Sequence, residues 1–256
     1  MQYAAQVSLL LVAATTLTLL ALNFSGPPGT EGSLNGYGYL DIYVWHPVFM
    51  SLAFVFCFPI AQLAYVLPSS FFIPESKRDR RVVHAACNLS GTILVLLGFT
   101  VAYVYHAALN KPHAGLNEPA WHETWTRPAH VITGYIVVIA ILIQCCAGLA
   151  KYVLKERQVE GGLLDKALKY HGRLGPVVWI LGLFCICLAL YFEYLEVPPH
   201  DAAHWTLGQI AVAGVLIIAL AISLILALHS RRSVEQKLDD EHGDDGAYRS
   251  GLINAE

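Results

Sequence analysis

Four histidines, His46, His84, His130 and His171, each stand at the entry of one of four consecutive apolar stretches in this 256-residue chain. Imidazole can relay protons, tie helices together or ligate a metal through a neutral ring nitrogen. Inside a bilayer an ionisable side chain is costly, and its presence marks a functional site by default. One histidine on each of four successive helices is what axial ligation of two haem irons requires. Two imidazoles per iron leave no open coordination position, which suits electron transfer and disfavours oxygen chemistry. The chain has no Cys-x-x-Cys-His run, so such haems are held non-covalently, as b type. All six cysteines (Cys57, Cys87, Cys145, Cys146, Cys185, Cys187) fall inside apolar stretches, so no disulfide framework is expected. A Gly-rich phosphate loop and zinc-like Cys/His pairs are both missing from the sequence.

The elements that must carry these side chains follow from composition. Hydrophobic residues make up 56% of the chain and charged residues 14%, unlike an ordinary soluble domain. Six stretches reach the roughly 20 apolar residues that a span needs: about 4–24, 43–67, 82–106, 129–150, 171–192 and 205–229. Backbone groups in lipid must be satisfied within their own segment, so the spans are helices. The expected fold is an all-α membrane protein of six transmembrane helices, with the four middle ones forming a di-haem bundle over residues 1–232. Residues 233–256 are polar and include Asp239, Asp240, Glu241, Asp244 and Asp245, a composition that buries no core and reads as a disordered acidic tail. Fourteen of the sixteen cations lie in the 67–81 connection, the 151–173 region and the tail; only Lys111 and Arg127 lie on the other side. The positive-inside rule makes the rich side cytoplasmic, and an even number of spans places both termini there. The first span lacks a basic flank before it and reads as a retained helix. Nucleic acid is not an expected partner.

Successive spans run in opposite directions. His46 and His130 therefore share the outer level, and His84 and His171 the cytoplasmic level, roughly 20 Å apart if each lies a turn inside a core of about 30 Å. Small residues recur on the histidine faces: Gly91 and Gly98 after His84, Gly134 and Gly148 after His130, Gly175, Gly182, Cys185 and Ala189 after His171, and Ala53, Cys57 and Ala64 after His46. Such a stripe leaves room for a macrocycle; it also serves bare helix packing. Pro47 disfavours α geometry at His46, which places that histidine at a helix start or a kink.

The run Val44-Trp45-His46-Pro47-Val48-Phe49-Met50-Ser51 resembles the second-helix signature of the cytochrome b561 family. Lys77-Arg78-Asp79-Arg80-Arg81 with His84, Pro128-Ala129-His130 with Gly134, and Leu168-Lys169-Tyr170-His171-Gly172 are similar to the next three helices, and the likeness covers about residues 5–229. It is nearest to the six-helix domain-only branch, the transmembrane ascorbate-dependent ferric reductases. The resemblance implies two b haems, one on His46 with His130 and one on His84 with His171. It also implies one-electron transfer from cytoplasmic ascorbate to ferric iron or monodehydroascorbate (the ascorbyl radical) across the membrane, often in a homodimer. Around His130 the chain reads Pro-Ala-His-Val-Ile, unlike the Ser-Leu-His-Ser-Trp of vesicle-type members.

Ascorbate is a monoanion at neutral pH, so its dock, and any haem propionate, calls for cations. Arg80, Arg81 and Arg173 stand nearest the cytoplasmic ligands, with Lys77, Arg78 and Lys169 close by; these residues also serve topology alone. On the outer side His106, His113, Trp121, His122, Trp125 and Arg127 gather around one loop and His200 and His204 in another, either to hold ferric iron or as an interfacial belt. Two other functions compete. A haem-free transporter whose four histidines relay protons or bind a metal ion would place carboxylates beside the histidines, and the four histidine-bearing spans carry none. A cytochrome subunit passing electrons to quinone would be inert towards ascorbate on its own.

Overall fold

The computed structural model describes residues 2–25, 42–67, 76–108, 126–156, 170–195 and 211–229. Every element among them is helical, and six helices are long and apolar enough to cross a membrane. These are α1 (Gln2–Ser25), α2 (Trp45–Leu63), α3 (Lys77–Ala108), α4 (Thr126–Glu156), α5 (His171–Leu195) and α6 (Ala211–His229). Outside the described residues lie the acidic segment 233–256, the expected start of the last span at 205–210, and His113, Trp121, His122, Trp125, His200 and His204.

Helices α3 and α4 run to 32 and 31 residues, longer than the spans expected from hydropathy. Their added turns are polar. The basic run Lys77–Arg81, expected in a connection, forms the first turns of α3. Ser76 explains the early start: its Oγ accepts from the Asp79 backbone N–H at 3.0 Å, and Asp79 adds an acidic side chain to the first turn.

Buried positions on α1 (Ala5, Ser8, Val12, Thr15, Leu19, Leu22) and on α6 (Ala213, Ile217, Leu220, Leu224, Ala227) recur every three or four residues. Each helix therefore turns one narrow stripe inward. The two stripes meet where the Ser8 hydroxyl donates to Ser223 Oγ at 3.1 Å, near the start of α1 and the end of α6. That contact makes α1 and α6 neighbours. Helices α2 to α5 are the set that carries the four histidines.

Helix α2 is the hub of that set. His46 lies in its first turn, after a short 3₁₀ turn at Ile42–Val44, and Pro47 falls where a missing N–H costs nothing. Residues Leu52–Cys57 then form a π turn, with the Phe58 N–H bonded to the Ala53 carbonyl five residues back. Pro59 supplies the reason. It has no N–H to give, so the Phe54 carbonyl, five residues earlier in that register, has no helical donor. The Trp179 indole N–H on α5 fills the gap at 2.7 Å. A sequence pattern shows Pro59 but not the indole that compensates it.

Candidate functional site

The four histidines converge in the pairs expected from topology. His46 and His130 have ring centres 6.4 Å apart with planes at 86°; His84 and His171 have ring centres 6.4 Å apart with planes at 90°. A metal–imidazole bond of about 2.0 Å, with the nitrogen about 1.2 Å from its ring centre, places two imidazoles on opposite sides of one ion about 6.4 Å apart, and nearer together at any smaller angle. Both pairs match that spacing.

A reciprocal set of backbone contacts orients the rings. His46 Nδ1 donates to the Gly98 carbonyl on α3 at 2.9 Å, and His84 Nδ1 on α3 donates to the Ala61 carbonyl on α2 at 2.8 Å. His130 Nδ1 on α4 donates to the Cys185 carbonyl on α5 at 3.0 Å. A carbonyl only accepts, so each of these Nδ1 atoms carries the proton and Nε2 keeps the lone pair that a metal takes. Asn88 agrees for His84: its side-chain amide donates to Nε2 at 3.2 Å as well as to the His84 carbonyl at 2.8 Å. The fourth contact is imperfect. The Gln144 carbonyl on α4 acts on His171, yet His171 Nδ1 is buried without a hydrogen-bond partner among the described residues.

The intervals are regular. Gly98 lies 14 residues after His84, Gln144 14 after His130, Cys185 14 after His171 and Ala61 15 after His46. Fourteen residues of helix rise about 21 Å and return to nearly the same face. Each helix thus carries a ligand at one end and, at the other, the carbonyl that orients its partner's ligand. Helices α2 and α3 form one such unit, α4 and α5 a second, and each histidine pair is shared between the units.

The small-residue stripe divides into two roles. Gly98 lies under Phe49 and Met50, a Cβ on Gly91 would stand 2.6 Å from the Phe58 ring, and one on Gly182 would overlap the Phe54 ring. Phe54 and Phe58 pack edge to face at 5.3 Å between the two histidine levels. Gly91 and Gly182 therefore let α3 and α5 close on α2, the packing role that such a stripe also serves. At Gly175, one turn beyond His171, a Cβ would meet no atom within 4 Å, and at Gly134, one turn beyond His130, only Cys185 Sγ at 3.8 Å. Room of this kind lies one turn beyond His130 and His171.

These features fit haem iron: two imidazoles per site, three of the four held from behind at Nδ1 so that Nε2 is the ligating nitrogen (that of His84 accepting here from Asn88), and open space one turn beyond His130 and His171. Among the described residues no group of three or more His, Cys, Asp or Glu side chains gathers, so no zinc-type cage competes. All six cysteines are free thiols.

Among the expected cations, Arg80 has a definite structural contact: its Nη1 donates to the Ala64 carbonyl at 3.1 Å and the Leu67 carbonyl at 2.7 Å, covering acceptors left open at the end of α2. Arg81 is half-buried and Arg173 exposed, both at the His84/His171 end. The charge of Lys151, near the end of α4, acts on both His84 and His171. In the sequence Lys151 reads only as a topology cation; its signal was its place three residues after Gly148, whose would-be Cβ stands 3.0 Å from His171 Cε1. Tyr65 beside His84 at 4.9 Å and Tyr43 stacked on His46 at 5.8 Å also went unremarked in the sequence.

Residues 45–197 match the family model described as eukaryotic cytochrome b561, and the chain belongs to that family. Its relatives are named as reductases. It is 28% identical over 183 residues to transmembrane reductase CYB561D2 of Homo sapiens, covering 72% of this chain and 76% of that protein. The same reductase from Bos taurus matches at 29% over 142 residues, 56% of this chain and 58% of its own length, so the bovine match leaves a large part of the relative uncovered. Lysosomal membrane ascorbate-dependent ferrireductase CYB561A3 of Homo sapiens is 32% identical over 199 residues, 66% of this chain and 81% of that protein.

Proposed function

We propose that this chain is a transmembrane reductase that takes single electrons from cytoplasmic ascorbate and delivers them to an acceptor on the opposite side, ferric iron chelate or monodehydroascorbate. The observation that carries this reading is the duplicate geometry: two histidine pairs, both with 6.4 Å between ring centres, at opposite ends of the same four helices. Haem b, bound by His46 with His130 and by His84 with His171, supplies iron that holds or releases one electron. The protein's own groups do the rest. Carbonyls at Gly98, Ala61 and Cys185 hold three of the rings with Nε2 outward. The packed Phe54–Phe58 region between the levels is lined by apolar side chains, which keeps solvent out of the membrane interior.

At the cytoplasmic end Arg81, Arg173 and Lys151 form the cationic surround for the ascorbate monoanion and for haem propionates. Arg80 belongs to the same surround with whichever of its five N–H donors do not hold the end of α2. Loss of one electron and of one proton, released to water on the same side, converts the ascorbate monoanion to monodehydroascorbate; on the far side the same electron reduces Fe(III) to Fe(II) or, with a proton taken from water there, the radical to the ascorbate monoanion. Names of relatives favour this assignment, since one is an ascorbate-dependent ferrireductase.

The test is a reduced-minus-oxidised visible spectrum of the purified full chain, with ascorbate and then dithionite, beside haem quantitation. Two b haems per chain, largely reduced by ascorbate, are expected. A chain free of haem would sink the reading, and a chain whose haems respond only to dithionite would favour a quinone-linked cytochrome subunit.

A further inference from the structure

At the four positions whose carbonyls serve the rings stand Gly98, Ala61, Gln144 and Cys185, and Cys185 is the one whose side chain reaches back to the ring it serves. Its Sγ lies 3.4 Å from His130 Nδ1 and 3.5 Å from the His130 carbonyl, while its own carbonyl accepts from the same Nδ1 at 3.0 Å. The thiol S–H donates to the His130 carbonyl, and a sulfur lone pair takes a share of the Nδ1–H already given to the Cys185 carbonyl. Sulfur is a weak acceptor and three-centre bonds of this kind are common. The site is well covered, because Cys185 is 9% exposed, so water does not compete and weak contacts count for more. Gly134 makes the place for the sulfur: Sγ is the neighbour that a Cβ there would touch, at 3.8 Å. Gly98 has no side chain to offer His46, and the Ala61 methyl offers His84 no hydrogen-bonding atom.

We infer that Cys185 is a positioning residue that makes the His46/His130 site electronically unlike the His84/His171 site. This rests on the haem reading above. A second acceptor on Nδ1–H makes His130 a stronger donor at Nε2, as the outer contacts of metal-bound histidines do. A stronger donor favours Fe(III), so the Cys185 sulfur holds the outer potential down.

The experiment uses the full chain carrying His84→Ala, which leaves the outer site as the one to be titrated. The midpoint potential and the low-temperature EPR g-values of its haem are measured with Cys185, with Cys185→Ala, with Cys185→Ser and with the neighbouring Cys187→Ala. Cys185→Ala is expected to shift the Fe(III)/Fe(II) ratio at fixed potential up to tenfold towards Fe(II), about 59 mV upward for one electron. Cys185→Ser, whose hydroxyl is the better acceptor, should return the potential to or below the starting value. Cys187→Ala should leave it in place. Should Cys185→Ala shed its haem, restoration of that haem by Cys185→Ser would carry the same conclusion through occupancy. An unmoved potential and EPR spectrum in Cys185→Ala, or an equal shift in Cys187→Ala, overturns the inference while the haem reading stands. A starting protein without haem overturns both.

Discussion

The two ends of the four histidine-bearing helices are built on one plan and finished differently. At the His46/His130 end both rings give their Nδ1 proton to a carbonyl, at 2.9 and 3.0 Å, and a sulfur adds to the second. At the His84/His171 end one ring is held at 2.8 Å, while His171 lies at the first residue of its helix with Nδ1 unpartnered among the described residues. The difference teaches that the plan sets where a ligand stands, whereas the last hydrogen bond sets how firmly. A tightly held His46/His130 pair stands opposite a looser His84/His171 pair placed next to cations.

The comparison can be broken most sharply by deleting ligands. His46→Ala or His130→Ala should halve haem content and leave a centre still reduced by ascorbate. His84→Ala or His171→Ala should also halve it but abolish rapid reduction by ascorbate, as stopped-flow absorbance would report. Equal reduction in all four variants would mean that the ends do not differ in role. Next in size is lability. Haem capture by excess apomyoglobin should remove the His84/His171 haem first, faster by a factor of about three to ten, the worth of one hydrogen bond. Equal off-rates would erase the distinction.

Crowding the looser ring is the third route. Gly148→Ala puts a methyl 3.0 Å from His171 Cε1 and 3.3 Å from Nε2, so it should perturb the spectrum of the His84/His171 haem and leave the other one unchanged. Gly182→Ala, which presses on Phe54 between the levels, is a contrast: it should cost about 1–3 kcal/mol of stability through overpacking, read as a lower unfolding midpoint in detergent, with both haem spectra retained. The smallest effect belongs to Arg80. Arg80→Lys keeps the charge but loses the fork that covers the Ala64 and Leu67 carbonyls, so stability should fall by about 1 kcal/mol, read as a lower unfolding midpoint in detergent.

Much of this was legible in the residues. Hydropathy located six spans, and alternating direction alone paired His46 with His130 and His84 with His171, because a helix of known rise leaves little freedom in depth. Three features were not legible. Ser76 extends α3 by a cap whose polarity hides it from hydropathy. The π turn of α2 depends on Trp179, 120 residues after Pro59 in the chain, and no local pattern encodes that meeting. The glycine stripe was visible, but glycine looks the same whether a ring from α2 fills the space, as at Gly91 and Gly182, or open space remains, as at Gly175.

The fourteen-residue interval also makes each histidine-bearing helix a ruler. Inserting one residue between His84 and Gly98 would swing the far half of α3 by about 100° and lift it about 1.5 Å. The Gly98 carbonyl would leave His46 even though no residue of either site had been replaced. Inserting four would bring the face back nearly into line but about 6 Å too high. A length change that keeps both histidine pairs in register must therefore fall in the connections between helices, and the distance between the two pairs is set by a count of residues.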